Sequence, residues 1–220
     1  MKAARKDKSV RTVVLTGAGK AFCSGQDLQD VSGKTRSLGE SVDKRYNPMV
    51  RLITQTEKPF ICRMNGVAAG AGASIALACD YVIAVDTAKM VWAFANIGLV
   101  LDSGSSYFLP RLVGRQKAFE IATLGEKIGA EDALRLGLVN KIVPADQLDE
   151  AVNKVAQRYA KAPTKAIGLI KRMLNRSFES SLEDMLEQER FGQETAGRTA
   201  DYKEGVQSFI EKRKPNYQGK

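Results

Sequence analysis

Apolar and polar positions along the chain change period several times, and each change marks a predicted element. Residues 10–16 (VRTVVLT) form a short β-branched run closed by Gly17-Ala18-Gly19-Lys20, the pattern of a buried strand and its turn. Residues 60–64, behind Lys58-Pro59, and residues 81–85 predict two more strands. Residues 90–94 and 138–143, the latter ended by Pro144, predict shorter ones. Between them, Val42, Tyr46, Met49, Val50 and Ile53 fall close to a 3.6-residue period and predict a helix over 41–56. Residues 71–79 are small and apolar throughout, a helix that must pack tightly; residues 115–124 and 130–136 read as short helices. From Asp146 onward the pattern is helical. Asp146 is placed as an N-cap, Pro163 opens a second helix, Ser181 and Asp184 offer a capping box for a third, and a fourth covers 199–212. Strand–helix alternation followed by a run of helices predicts one α/β core with a helical C-terminal lobe.

Composition narrows the chemistry. The 220 residues are 44% hydrophobic, enough for a sizeable core, and no apolar run approaches the roughly 20 residues that span a bilayer. The first eight residues are basic without a signal-peptide apolar stretch, so a cytoplasmic protein away from membranes is expected. Three cysteines, Cys23, Cys62 and Cys79, form no C-x-x-C pair and read as reduced thiols, Cys79 as a packed core residue. The complete absence of histidine removes Ser-His-Asp and Cys-His catalysis and His-dependent zinc sites. A general acid or base must then be a carboxylate, lysine, tyrosine or cysteine. The formal charge of +9 favours an anionic partner, although solvated helix surface accounts for such a balance equally well.

Three glycine-bearing loops remain. Gly17-Ala18-Gly19-Lys20 lacks the P-loop spacing, and Gly70-Ala71-Gly72 lacks the third glycine of a dinucleotide fingerprint. The third is Asp102-Ser103-Gly104. The stretches VVLTGAGKAFCSGQDL (13–28), NGVAAGAGASIALACDYVIA (65–84) and IGLVLDSGSSYFLPRLVG (97–114) resemble the enoyl-CoA hydratase/isomerase (crotonase) family. So do residues 130–140 and the tail EGVQSFIEKRKPNYQGK (204–220), and the resemblance runs in order over nearly the whole chain. It implies a spiral of ββα units over residues 1–145 and a helical oligomerisation region over 146–220, assembled as a homo-trimer or a dimer of trimers. It also implies action on acyl-CoA thioesters with no cofactor beyond the coenzyme A that the substrate carries.

Thioester chemistry at the α-carbon passes through an enolate, whose oxygen needs preorganised donors. By motif position these are the backbone N–H groups of Gln26 and Ala71, the second opening the small-residue helix. The resemblance puts two glutamates around a water in the family's hydratases. Here Ser74 and Phe94 stand at those positions, and neither is a base, so they are read with Leu101 as pocket residues. Asp102 resembles the acid/base of an isomerase branch that includes the 1,2-epoxyphenylacetyl-CoA isomerases and some Δ3-Δ2-enoyl-CoA isomerases. Its other reading is an N-cap for a helix starting near Ser103. Asp27 and Leu28 are assigned to the CoA channel, and Phe209 and Lys212 to the adenine and phosphate, by position. Met49, Trp92 and Tyr107 are placed with Phe94 on the pocket wall.

In the family some tens of residues, with CoA-contacting basic side chains, precede the VRTVVLT strand, whereas here Met1 stands almost at it. If that segment is missing, so is part of the CoA site. Isomerase chemistry with Asp102 as acid/base is therefore the leading expectation, with hydration next. A non-catalytic acyl-CoA- or RNA-binding homologue, or a structural subunit, is the reading outside enzymology. Nucleic acid is not favoured, since no basic motif is interleaved with aromatics.

Overall fold

The computed structural model describes residues 1–26 and 37–220. A short helix α1 (Lys2–Lys6) precedes the strand pair β1 (Val13–Thr16) and β2 (Ala21–Cys23). A helical stretch follows in three parts: α2 (Leu38–Ser41), a π-turn (Val42–Tyr46) and α3 (Asn47–Gln55). Next come β3 (Phe60–Met64), β4 (Val67–Ala69) and α4 (Ala71–Ala78), then β5 (Tyr81–Val85), β6 (Lys89–Val91) and α5 (Ser105–Val113). After α6 (Arg115–Leu124), β7 (Ile128–Gly129), α7 (Ala130–Arg135) and β8 (Lys141–Val143), the helices α8 (Leu148–Ala160), α9 (Thr164–Arg176), α10 (Leu182–Gly197) and α11 (Ala200–Ile210) end the chain. No helix among the described residues is long and apolar enough to cross a membrane.

Two four-stranded sheets share the strands by turns, β1-β3-β5-β8 in one and β2-β4-β6-β7 in the other. β3 and β5 run parallel, with Ile61 opposite Tyr81 and Met64 opposite Ala84. β2 with β4 and β4 with β6 are parallel too, and antiparallel β7 closes the edge beside β6. Parallel neighbours need a crossover. Here each crossover holds a strand of the other sheet and a helix, so the repeat is ββα and the units wind into an α/β spiral. β3 and β5 are buried over most of their length, from Phe60 and Ile61 to Ile83 and Ala84. That burial is why they read as continuous apolar runs.

Two compact units divide the chain. One comprises residues 14–54 and 60–153, and the other residues 1–13, 55–59 and 154–220. The division falls inside α8, later than residue 145 where the sequence pattern changes, and residues 1–13 and 55–59 join the later helices. In that second unit Glu57 receives Lys165 Nζ at 3.0 Å and Arg172 Nη2 at 2.6 Å. These pairs are partly exposed and each contributes at most about 1 kcal/mol. Arg11 donates from Nε to Thr164 Oγ1 at 2.9 Å and from Nη1 to the Tyr217 carbonyl at 2.7 Å. Asp201, buried, accepts from the N–H groups of Gln218 and Gly219 at 2.6 and 2.8 Å.

The capping box expected at Ser181 forms: its hydroxyl accepts from the Asp184 N–H, and the Asp184 carboxylate accepts from the Ser181 N–H. Other expectations need correction. Asp146 is no N-cap; Pro144 precedes a 3₁₀ turn, Ala145–Gln147, that carries Asp146 and runs into α8. The strand expected over 90–94 is Lys89–Val91, because the chain turns at Phe94 into a 3₁₀ turn, Ala95–Ile97. Leu138 and Val139 are buried but lie outside β8. Cys79 is only half-buried, its Sγ 3.5 Å from the Ile75 carbonyl, while Cys62 is the fully buried thiol, held well above its ordinary pKa by burial.

Candidate active site

The first loop of the site is fixed by contacts that leave no room for side chains. After β2 the chain passes through Ser24-Gly25-Gln26, with Gly25 at φ +85°. A Cβ on Gly25 would stand 2.8 Å from the Ala69 carbonyl oxygen and 3.7 Å from the Ala71 nitrogen. Only glycine allows this approach. The two loops expected to carry the oxyanion donors therefore lie directly against each other.

The second loop is a helix start. Gly70, at φ +52°, ends β4 and donates to the Val91 carbonyl at 2.9 Å. α4 begins at the next residue, and Ser74 N–H reaches back to the Gly70 carbonyl at 3.1 Å. The amides of the preceding turn have no carbonyl four residues behind them, and the helix dipole adds partial positive charge there. Every residue of α4 is buried, so no polar face competes with the helix start. Gly72 sits so close to β2 that a Cβ would fall 2.4 Å from the Cys23 carbonyl oxygen. Backbone cannot yield as a side chain can. Gly72→Ala is accordingly expected to cost about 1–3 kcal/mol of stability, measured by urea unfolding, and to part the Cys23–Gln26 strand end from α4.

A cavity of about 620 Å³ opens at this junction. Its wall combines the Ser24–Gln26 loop, Ala69–Ala71, Phe94 and residues 99–104, and it is mostly apolar. Asp102 is the one carboxylate on the lining among the described residues. One of its oxygens, Oδ1, is buried and has no hydrogen-bond partner among the described residues. Burial of an uncompensated carboxylate favours the protonated form, and it pushes the Asp102 pKa above its ordinary value. The neighbouring Ser103 hydroxyl pulls the other way and holds the rise back in part, although it makes no well-aligned hydrogen bond. Asp102 is not an N-cap. α5 starts at Ser105 behind Gly104, and only the Asp102 backbone carbonyl, at 3.0 Å from the Ser105 N–H, takes part.

Gln26, Ala71, Phe94, Leu101 and Asp102 thus come together on one cavity. Ser74 does not join them. It is completely buried, with its hydroxyl hydrogen-bonded to the Ser105 hydroxyl and the Gly70 carbonyl, and Ser105 also accepts from Trp92 Nε1 at 2.6 Å. A serine at that position belongs to a closed polar cluster behind α4, and Trp92 belongs to the same cluster rather than to the cavity wall. Met49 and Tyr107 are also off the lining; the Tyr107 ring instead carries the Arg111 guanidinium 3.5 Å from its centre. Phe209 and Lys212 lie in the other unit, on the last turn of α11 and just beyond it, with Phe209 85% exposed. The Asp27 and Leu28 assignments fall outside the described residues.

Sequence reading missed Tyr46 among the polar side chains of the cavity. Tyr46 reaches it from the π-turn and donates from its hydroxyl to Gln26 Oε1 at 2.7 Å. Burial, and then the nearby Asp102 and Cys23 charges, raise its pKa, so the phenol keeps its proton.

The chain matches the enoyl-CoA hydratase/isomerase family over residues 1–220. It is 43% identical to the 1,2-epoxyphenylacetyl-CoA isomerase of Escherichia coli K12, covering all of this chain and 86% of that one. A probable enoyl-CoA hydratase of Rhodobacter capsulatus is 40% identical, over 96% of this chain and 82% of its own. Among solved structures, an enoyl-CoA hydratase from Bacillus anthracis superposes with a TM-score of 0.94 at 31% identity, covering all of this chain and 85% of that one. A sequence match across every element, on a ββα spiral with two loops abutting at a helix start, makes this chain a member of the enoyl-CoA hydratase/isomerase family of the crotonase superfamily.

Proposed function

We propose that the chain isomerises an acyl-CoA thioester, shifting a proton along an unsaturated or epoxidised acyl group with Asp102 as acid and base. The amides of Gln26 and Ala71 hold the enolate oxygen while Asp102 takes a proton from one carbon and returns it at another. Coenzyme A enters as part of the substrate, and no other cofactor is required. The observation that carries this reading is Asp102, the one carboxylate among the described residues on a mostly apolar cavity, half-buried beside the loop junction. One carboxylate suffices for a 1,3-proton shift, whereas the two-glutamate hydration route has Ser74 and Phe94 where its bases would stand. The likeness to the 1,2-epoxyphenylacetyl-CoA isomerase points the same way.

The assembly proposed is a homo-trimer or a dimer of trimers. Exposed apolar side chains on the later helices, among them Leu174, Leu186 and Phe191, support it. Phe209 and Lys212 are proposed to meet the adenine and phosphates of coenzyme A.

The test is a side-by-side assay of 3-enoyl-CoA isomerisation, epoxyacyl-CoA isomerisation and 2-enoyl-CoA hydration. Isomerisation of either substrate outpacing hydration is expected; hydration as the fastest reaction overturns the proposal. The pH profile adds a signature. A base must be ionised, so kcat/KM should rise with pH and level off above the Asp102 pKa, which burial places above the ordinary 3.8.

A further inference from the structure

Tyr46, which bonds Gln26 at the loop junction, stands at the end of a π-turn. The helical stretch between Leu38 and Gln55 is interrupted by the π-turn, where Asn47 N–H reaches back five residues to the Val42 carbonyl. Such turns insert one residue into a helix and recur at functional sites. Leu38, Ser41, Val42, Tyr46 and Asn47, before, in and after the turn, all line the same cavity. Tyr46, from its last position, meets a residue twenty places earlier in the chain, Gln26. Gln26 is also the residue whose backbone N–H is assigned to the enolate oxygen.

We infer that Tyr46 is a positioning residue: its hydroxyl, anchored on Gln26 Oε1, fixes the orientation of the Gln26 amide in the oxyanion hole. The inference rests on the oxyanion reading given above. Gln26 follows directly on Gly25, whose lack of a side chain permits the close approach to Ala69 but gives the backbone no intrinsic preference for one conformation. A glycine-preceded amide needs an external restraint to hold a donor direction, and a catalytic donor is effective only when preorganised. The phenol suits that task, because it stays protonated and so remains a donor across the neutral range. The π-turn carries the phenol toward Gln26.

The test separates this role from simple packing. Tyr46→Phe keeps the ring and deletes the hydroxyl, and Gln26→Met keeps the length and deletes the acceptor. Each is expected to lower kcat roughly threefold to tenfold, the worth of one hydrogen bond, with KM nearly unchanged. Combined, they should do clearly less damage than the product of the two losses, because both remove the same contact. Full multiplication of the two losses, or an unchanged kcat in Tyr46→Phe, overturns the inference. A second readout needs no turnover: the carbonyl stretch of bound hexanoyl-CoA, a saturated thioester, should lie closer to its value in water in both variants than in the wild type. Hexanoyl-CoA bound equally, with identical carbonyl frequencies in all three proteins, overturns the positioning role and leaves the acyl-CoA reading standing. No binding by the wild type overturns both.

Discussion

Asp102→Asn is expected to remove about 10²–10⁴ of the isomerisation rate, the usual contribution of a positioned general acid–base group. The asparagine amide matches the carboxylate in shape but cannot accept a proton from carbon. Loss should therefore appear in kcat, with the KM for the thioester little changed. The acid limb of the pH profile should vanish with the activity. Stability should move the other way, and the sign follows from the raised pKa. A carboxyl whose folded pKa lies above its unfolded value binds its proton more tightly in the fold. Its contribution to stability is complete below the ordinary 3.8 and is lost as the pH rises through the folded value. At neutral pH the Asp102 carboxylate is thus a net cost to the fold, and Asp102→Asn should melt higher than the wild type. Retained isomerisation in this variant would refute the acid–base assignment. A lower melting temperature at neutral pH would refute the burial account of its pKa.

Ala71→Pro should lower kcat by about 10²–10³, the effect of deleting one oxyanion donor. This substitution removes an N–H where the fold can spare it. Ala71 is the first residue of α4, and proline is at home there, since its fixed φ suits the helix and the missing donor has no intrahelical partner. Gly70 before it is at ψ −122°, outside the α region that a following proline disfavours. Ala71→Gly retains the amide and serves as control, with near-normal turnover and a stability loss of at most about 1 kcal/mol. Thermal melting of both variants separates lost chemistry from lost structure. Equal turnover in the proline and glycine variants would remove Ala71 from the oxyanion hole.

The long apolar runs made most of the spiral legible before any coordinates. β3 and β5, buried on both sides, announce themselves by composition, as does α4 with its small residues. β2 and β4 escaped notice because three residues are too few to show an alternation, and each is fixed by pairing with a distant strand rather than by its own pattern. The loop junction was legible through its motifs. The fate of Ser74 was not: nothing local says that a serine in a small-residue helix will bond to Ser105, thirty-one residues on. Tyr46 counted as one apolar position in a 3.6-residue pattern, and that pattern cannot register a π-turn, which shifts the period by one residue. The Tyr46–Gln26 contact spans twenty residues of sequence and belongs to tertiary structure alone.

The second unit is closed by bonds between residues far apart along the chain. Arg11 holds the Tyr217 carbonyl across 206 positions, and residues 1–13 sit with the helices after residue 154. On a ribosome working at about 5–20 residues per second, some ten to forty seconds separate the synthesis of Arg11 from that of its last partner. Residues 14–54 and 60–153 hold their own sheets and core, and can collapse while synthesis continues. The opening segment meets Lys58 and Pro59 earlier, but Arg11 waits for Tyr217 to complete its bonds. The Arg11 clasp on the Tyr217 carbonyl is therefore among the last contacts of this unit to form during synthesis.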